Sequence, residues 1–409
     1  MQKDVTMSSG RSPPSGSGQY GKTVSPSGMV KRTNLVKVVD LYEFQLEVSR
    51  EEAAVLNQVT ERLKEAGMVW WAVEANKGSD WYLLPDMISS QSESPRGIVS
   101  QLSGSLSTFA GSAGQLQKLV RKGIPPVLRP KVWRAVSGVM KKRSTVPDGY
   151  YQDLIEAVDG RETPATRQID HDLGRTFPGH PTIDSPQGQA TLRRILTGYS
   201  FRDSRVGYCQ GMNYVAASLL LVMKNEEDAF WMLAVLLENI LLHDSYSENL
   251  YGCHVEQRVF KDLFRKKCPR LATHLDEIDF DVSLITTEWF LCLFSKSLPS
   301  ESTMRVWDVL FNEGANILFR VALAFFMIKE EDLLRARHVG EAIKMLQEAV
   351  HKAYDPEEFL KVAFEKVGTV STKSITKQRK VEQPAVQAEL ERQINRLNSI
   401  KVARSSPAK

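Results

Sequence analysis

A chain of 409 residues that is 42% hydrophobic and 25% charged has the material for one large or two medium domains around a sizeable core. Its formal charge of +4 is divided unevenly, with +5 over residues 1–39, −7 over 40–370 and +6 over 371–409. An acidic body between basic tails argues against a dedicated nucleic-acid-binding protein, and the tails read as solvated segments with at most a weak, peripheral attraction for an acidic membrane. The long apolar runs, such as Tyr214–Met223 and Val321–Ile328, fall well short of the roughly 18 residues a spanning helix needs. The start, MQKDVTMSSG, lacks the apolar core of a secretory signal. Cys209, Cys253, Cys268 and Cys292 are far apart without C-x-x-C or H-x-x-H spacing, so they read as reduced thiols of a cytosolic protein and indicate no metal site.

Residues 1–37 are rich in Ser, Gly, Pro and Thr and read as a disordered tail, because such a segment buries too little surface to offset its ordering entropy. Within it GSGQYGKT, Gly16–Thr23, satisfies both G-x-x-x-x-G-K-[ST] and G-x-G-x-x-G. A phosphate loop needs a buried strand before it and a helix after it. The flanks RSPPS and VSPSG supply neither, so the pattern is discounted.

A small helical segment is expected over 38–87, with an amphipathic helix from Leu41 to Ala66 carrying Val55, Leu56, Val59 and Leu63 and ending at Gly67. The aromatic cluster that follows, Trp70, Trp71, Trp81 and Tyr82, reads either as a small packed hairpin or helical cap, or as a surface for a partner. Residues 88–116 return to Ser and Gly and read as a linker. From 117 to 368 helical patterns separated by Gly/Pro turns predominate and alternating β-branched segments are scarce, which predicts an all-α domain. No internal period of 20–50 residues marks a solenoid. The remainder, 369–409, is a basic tail with one short helix candidate carrying Val386, Leu390, Ile394 and Leu397, marginal if alone.

Neither G-x-S-x-G nor H-E-x-x-H occurs, and the seven histidines form no evident triad or metal cluster. Three polar motifs inside the helical domain are poorly explained by packing. In GIPPVLRPKVW, Gly123–Trp133, a stiff turn leads into a helix that Trp133 anchors; Arg129 at its start either positions a partner or pairs with a local carboxylate. In QIDHDLGRTFPGHP, Gln168–Pro181, Ile169, Asp172 and Arg175 are spaced by three, placing Asp172 beside Arg175. Gly174 and Pro178-Gly179 stop the helix there, so Arg175 sits at its exit either as a capping ion pair or as an exposed guanidinium held by a carboxylate. In RVGYCQGMNYVAASLLLVM, Arg205–Met223, Gly207 and Gly211 bracket Tyr208-Cys209-Gln210. In an extended conformation Tyr208 and Gln210 would project together, with the N-terminus of the following helix offering N–H groups behind them.

Together these motifs resemble the TBC-domain family of GTPase-activating proteins for Rab-type small GTPases. The R-x-x-x-W element is Arg129 to Trp133, the I-x-x-D-x-x-R element is Ile169, Asp172 and Arg175, and the Y-x-Q element is Tyr208 and Gln210; Thr286–Pro299 and Arg305–Gly314 are also family-like. The resemblance spans roughly 118–340 and implies a single large all-helical domain of two helical subdomains. It further implies an activator that supplies an arginine finger, Arg175, and a glutamine finger, Gln210, in trans to a GTP-bound Rab, with no substrate turnover of its own. Asp172 would hold Arg175, Tyr208 and Gly211 would shape the Gln210 turn, and Arg129 would support the interface. GTP and Mg²⁺ would arrive with the partner, so no cofactor is expected. The implied setting is vesicle traffic, with the protein cytoplasmic and recruited peripherally to endomembranes. The alternative is an adaptor of the same fold that binds a Rab without stimulating hydrolysis.

Overall fold

The computed structural model describes residues 35–78, 81–82 and 114–405, with side chains to 396. The phosphate-loop pattern at Gly16–Thr23 and nearly all of the 88–116 linker lie outside them. The described residues form one compact unit.

The unit begins with a hairpin that the helical reading of 38–87 did not anticipate. Strands β1 (Val36–Val39) and β2 (Gln45–Val48) pair antiparallel, Val36 opposite Val48 and Val39 opposite Gln45. Each is only four residues long, too short for alternation to stand out. Helix α1 then starts at Arg50 rather than Leu41, because Ser49 and Glu52 form a capping box: the Glu52 N–H donates to Ser49 Oγ and the Ser49 N–H to Glu52 Oε2. It runs through Gly67 to Lys77, correcting the expected stop. A mid-helix glycine costs about 1 kcal/mol, and burial of Trp70, whose Nε1 donates to the Gly123 carbonyl at 2.9 Å, outweighs that. Trp70 and Tyr82 are buried and Trp81 packs 6.0 Å from Trp70, whereas Trp71 is half exposed. The cluster is therefore neither a hairpin nor a separate cap, but the seam joining α1 to the body.

Helix α2 (114–122) follows. Next come α3 (Arg129–Val136), α4 (Val139–Arg143), α5 (Tyr150–Val158), α6 (Pro164–Leu173), α7 (Pro186–Arg202), α8 (Met212–Met223) and α9 (Glu226–Val235). In this first group α7 is central and packs on α5, α6, α8 and α9. The second group comprises α10 (Tyr251–Lys267), α11 (Pro269–Glu277), α12 (Ser283–Leu291), α13 (Ser300–Glu313), α14 (Asn316–Ile328), α15 (Glu330–Leu333), α16 (Val339–His351) and α17 (Pro356–Lys361). Helix α13 joins the groups by packing on α3, and one continuous apolar core runs through both. The all-α architecture stands, with the hairpin as its small exception among the described residues.

The final helix, α18 (Thr372–Ser405), is far longer than the short one expected of a basic tail. It lies along α10, burying Val386 and Leu390. Arg379 Nε donates to Glu256 at 3.0 Å and Gln378 Nε2 to Asp262 at 2.6 Å. A stripe that is marginal alone becomes stable once a partner face is present. Ile394 remains about half exposed, and the Leu397 side chain is outside the described residues.

Candidate functional site

Helix α6 opens with a Thr163 cap and Pro164 in its first turn, and ends at Gly174. Ile169 on its inner face is fully buried and fixes the helix's rotation. That rotation turns Asp172, one turn on, into the protein, where its side chain is completely enclosed. An enclosed carboxylate needs donors, and three side chains supply them. Gln168 Nε2 reaches Oδ1 at 3.2 Å, Arg175 reaches the same oxygen through Nε at 2.9 Å and Nη2 at 2.6 Å, and the Tyr208 hydroxyl reaches Oδ2 at 2.6 Å. Arg175 is itself 48% exposed. Its Nη1 has no partner among the described residues, so one edge of the fork faces outward.

Tyr208 ties a second segment to the same acid. Burial, with the Asp172 bond next, holds its phenol far above the ordinary value, so it remains a protonated donor. Two residues later Gln210 is exposed, and nothing among the described residues hydrogen-bonds its side-chain amide. Tyr208 and Gln210 thus do not project together as an extended segment would have it. Gly207 at φ +57° and Gly211 at φ +110° bend the chain on either side, leaving Tyr208 half-buried and Gln210 outside. Cys209 between them is a thiol pushed up to about 11, chiefly by burial, and all four cysteines are free thiols.

Gly211 is the sterically demanding position. A Cβ there would stand 3.1 Å from the Leu291 carbonyl oxygen and 3.3 Å from Cys292 Sγ, in a backbone region that side chains disfavour. Gly211→Ala is expected to cost about 1–3 kcal/mol and to speed amide exchange over residues 207–213; an unchanged Tm and unchanged exchange would show that the turn tolerates a side chain.

Three residues not singled out from the sequence, Asn213, Thr176 and Tyr214, complete the link. Asn213 Oδ1 accepts the Gly211 N–H at 3.0 Å, and Asn213 Nδ2 donates to Thr176 Oγ1 at 2.8 Å, while Thr176 Oγ1 donates to the Asp172 carbonyl at 2.7 Å. The Tyr214 hydroxyl donates to the Arg175 carbonyl at 3.0 Å. The only advance signal was an asparagine opening an otherwise apolar helix. These bonds also use part of what the α8 N-terminus was expected to offer an anion, since Asn213 takes the Gly211 N–H and the Cys209 carbonyl takes that of Met212.

Arg129 and Trp133 are not part of this surface. Arg129 is fully buried, and all five of its N–H donors are used. Nη1 and Nη2 reach Glu301 at 2.7 Å, Nε and Nη2 reach Asp308 at 3.1 Å, and Nη1 reaches the Tyr42 hydroxyl at 2.5 Å. Trp133 Nε1 and the Ile124 N–H donate to the same Asp308. A side chain so enclosed touches no partner protein, so the expected interface role is corrected to an internal one: it joins α3 to α13.

A model of the Rab-GTPase-TBC domain, RabGAP-TBC, matches residues 126–334. The chain belongs to this family. TBC1 domain family member 2A of Homo sapiens is 38% identical over 280 residues, which cover 68% of this chain and 30% of the relative. The family member 2B of Xenopus tropicalis is 36% identical over the same length, with the same coverage. The chain therefore spans about 30% of the length of these curated relatives. Among solved structures, the TBC domain of a Chlamydomonas flagellar RabGAP superposes with a TM-score of 0.64 at 34% identity, over 81% of this chain and 100% of that one. The Ypt/Rab-GAP domain of Gyp1p, at 21% identity and a TM-score of 0.55, covers 62% of this chain and 91% of its own, and shares the fold. Helices α3 to α15 of the TBC domain fall within the family match, whereas the hairpin, α1 and α18 lie outside it.

Proposed function

We propose that this TBC domain is a GTPase-activating protein for a Rab-type small GTPase in its GTP-bound state, with Arg175 and Gln210 as the groups delivered in trans. The observation that carries the reading is the shared anchor: one buried carboxylate, Asp172, holds the exposed Arg175 directly and, through Tyr208, the segment bearing the exposed Gln210. A Rab alone hydrolyses GTP slowly because charge building on the phosphoryl oxygens is poorly stabilised and the attacking water is poorly placed. Arg175 answers the first need, being always charged, planar and able to bond two oxygens. Gln210 answers the second, since its amide carries both an acceptor for water and a donor for phosphate. GTP and Mg²⁺ come with the partner, so the protein needs no cofactor of its own. Among the described residues no helix is long and apolar enough to cross a membrane; peripheral recruitment to an endomembrane through the basic ends fits a role in vesicle traffic.

The test is phosphate release from a panel of GTP-loaded Rabs mixed with catalytic amounts of the protein. Stimulation of at least one Rab is expected, with Gln210→Ala reducing it about 10²-fold, the scale of one lost transition-state contact. If the folded wild type stimulates none while still binding a Rab, the domain is an adaptor instead.

A further inference from the structure

The segment just after Arg175 carries a strain that needs a holder. Phe177 has φ +48°, a left-handed conformation that a bulky aromatic keeps only when its surroundings over-determine it. Its ring is gripped from two sides, by Tyr214 at 5.3 Å between centroids and by Phe44 at 5.0 Å, edge-on at 89°. Tyr214 also bonds the Arg175 carbonyl, so the packing of Phe177 and the main chain of Arg175 are coupled.

Phe44 comes from the N-terminal hairpin, upstream of the family match at 126–334. The tip that presents it is fastened to the body at several points. Asp40 Oδ1 accepts the Tyr42 and Phe44 N–H groups at 2.9 Å, and Oδ2 accepts the Ser300 hydroxyl at 2.6 Å. Thr182 Oγ1 donates to Glu43 Oε2 at 2.7 Å. The buried His180 ring packs 4.6 Å from Phe44. Its Nδ1 accepts the Thr182 and Ile183 N–H groups at 3.1 and 3.2 Å, which assigns the proton to Nε2 and makes that atom the donor to the Tyr42 carbonyl at 2.7 Å. Hairpin tip and loop 176–183 therefore form one bonded unit.

We propose that the hairpin is a brace for the arginine loop and that Phe44 is a positioning residue acting on Arg175 through Phe177 and Tyr214. Without the Phe44 ring, Phe177 is free to relax to negative φ, and the Arg175 carbonyl loses its register with Tyr214. The proposal rests on the reading of Arg175 as the group delivered to the GTPase, and it extends the working unit of this domain upstream of the matched segment.

The test uses the full chain and compares wild type, Phe44→Ala, Phe44→Leu, Arg175→Ala and the double variant Phe44→Ala/Arg175→Ala by two measurements. The first is amide exchange in the free protein: Phe44→Ala is expected to speed exchange over residues 174–180 about tenfold or more, a local opening of that size being a 1.4 kcal/mol event, while α13 stays protected. The second is stimulated hydrolysis: Phe44→Ala should lower kcat ten- to hundredfold, as a misplacement of about 1 Å does, with KM within about twofold. Phe44→Leu, which keeps apolar volume against Phe177, should recover most of both. In the Arg175→Ala background Phe44→Ala should cost nothing further, because a positioning residue has nothing left to position. Wild-type exchange over 174–180 in Phe44→Ala, or a loss that multiplies with that of Arg175→Ala, overturns the brace. Should Phe44→Ala loosen the whole chain, the milder Phe44→Leu is read instead: its residual speeding of exchange must fall on residues 174–180 and not on α13, or the brace fails. If wild type stimulates no Rab, the exchange measurement alone decides the brace, and only the activator reading is lost.

Discussion

Arg175→Ala is expected to lower stimulated GTP hydrolysis by at least about 10³-fold while leaving the fold and the KM for GTP-loaded Rab nearly unchanged. Fingers of this kind are worth about 10³–10⁵ in Ras-type and Gα systems, or roughly 4–7 kcal/mol of barrier. The fold should survive with a lowered Tm, because the enclosed Asp172 loses the charge of Arg175, at about 1–3 kcal/mol, but keeps Tyr208 and Gln168 as donors. Arg175→Lys should fail nearly as badly, since an ammonium cannot hold Asp172 with one edge of a fork and offer the other. Phosphate release under single-turnover conditions, beside a thermal melt, checks both. Activity within a few-fold of wild type for Arg175→Ala on a Rab that the wild type stimulates would remove Arg175 from the mechanism.

Arg129→Ala is expected to act in the opposite way, on stability and not on chemistry. It strips five hydrogen bonds from a fully enclosed site and leaves Glu301 and Asp308 as neighbouring carboxylates without their main counter-charge. Burial already raises the Glu301 carboxyl above its usual range, with Arg129 the chief group opposing that rise. Breaking such a site costs about 3–5 kcal/mol, which in a domain of this size lowers Tm by roughly 10 °C. Well below the new Tm, the folded fraction should stimulate with a wild-type KM. A raised KM in a variant of unaltered Tm would restore the interface role that the structure denies.

Arg129 also shows where sequence reading stopped. The R-x-x-x-W spacing marked the right residue, but its partners Glu301 and Asp308 lie 172 and 179 positions away, and no local pattern distinguishes a buried hub from a contact residue. Asp172 and Arg175 were legible because three-residue spacing keeps them adjacent through the turn that ends α6. The bond from Tyr208 to Asp172, 36 positions apart, was not, and neither was the bend that separates Tyr208 from Gln210. At the level of fold, the apolar periodicity of 117–368 was enough for an all-α body. The four-residue strands and the long α18 escaped, because both owe their existence to surfaces supplied by other parts of the chain. Gly67 misled for the same reason: local propensity favoured an end, and the tertiary burial of Trp70 overrode it.

Under the proposed activity, the carboxylate of Asp172 has a thermodynamic consequence for the encounter with a GTPase. Freezing one long side chain such as arginine costs up to about 2 kcal/mol of rotamer entropy, and each backbone residue ordered costs about 1–2 more. In this protein Arg175 is already held by Asp172, and the Gln210 segment is already held by Tyr208, Gly211 and Asn213. That ordering is therefore charged to folding, once, and not to each collision. Under the proposed activity, binding energy gained on a Rab surface is left free to distinguish one Rab from another.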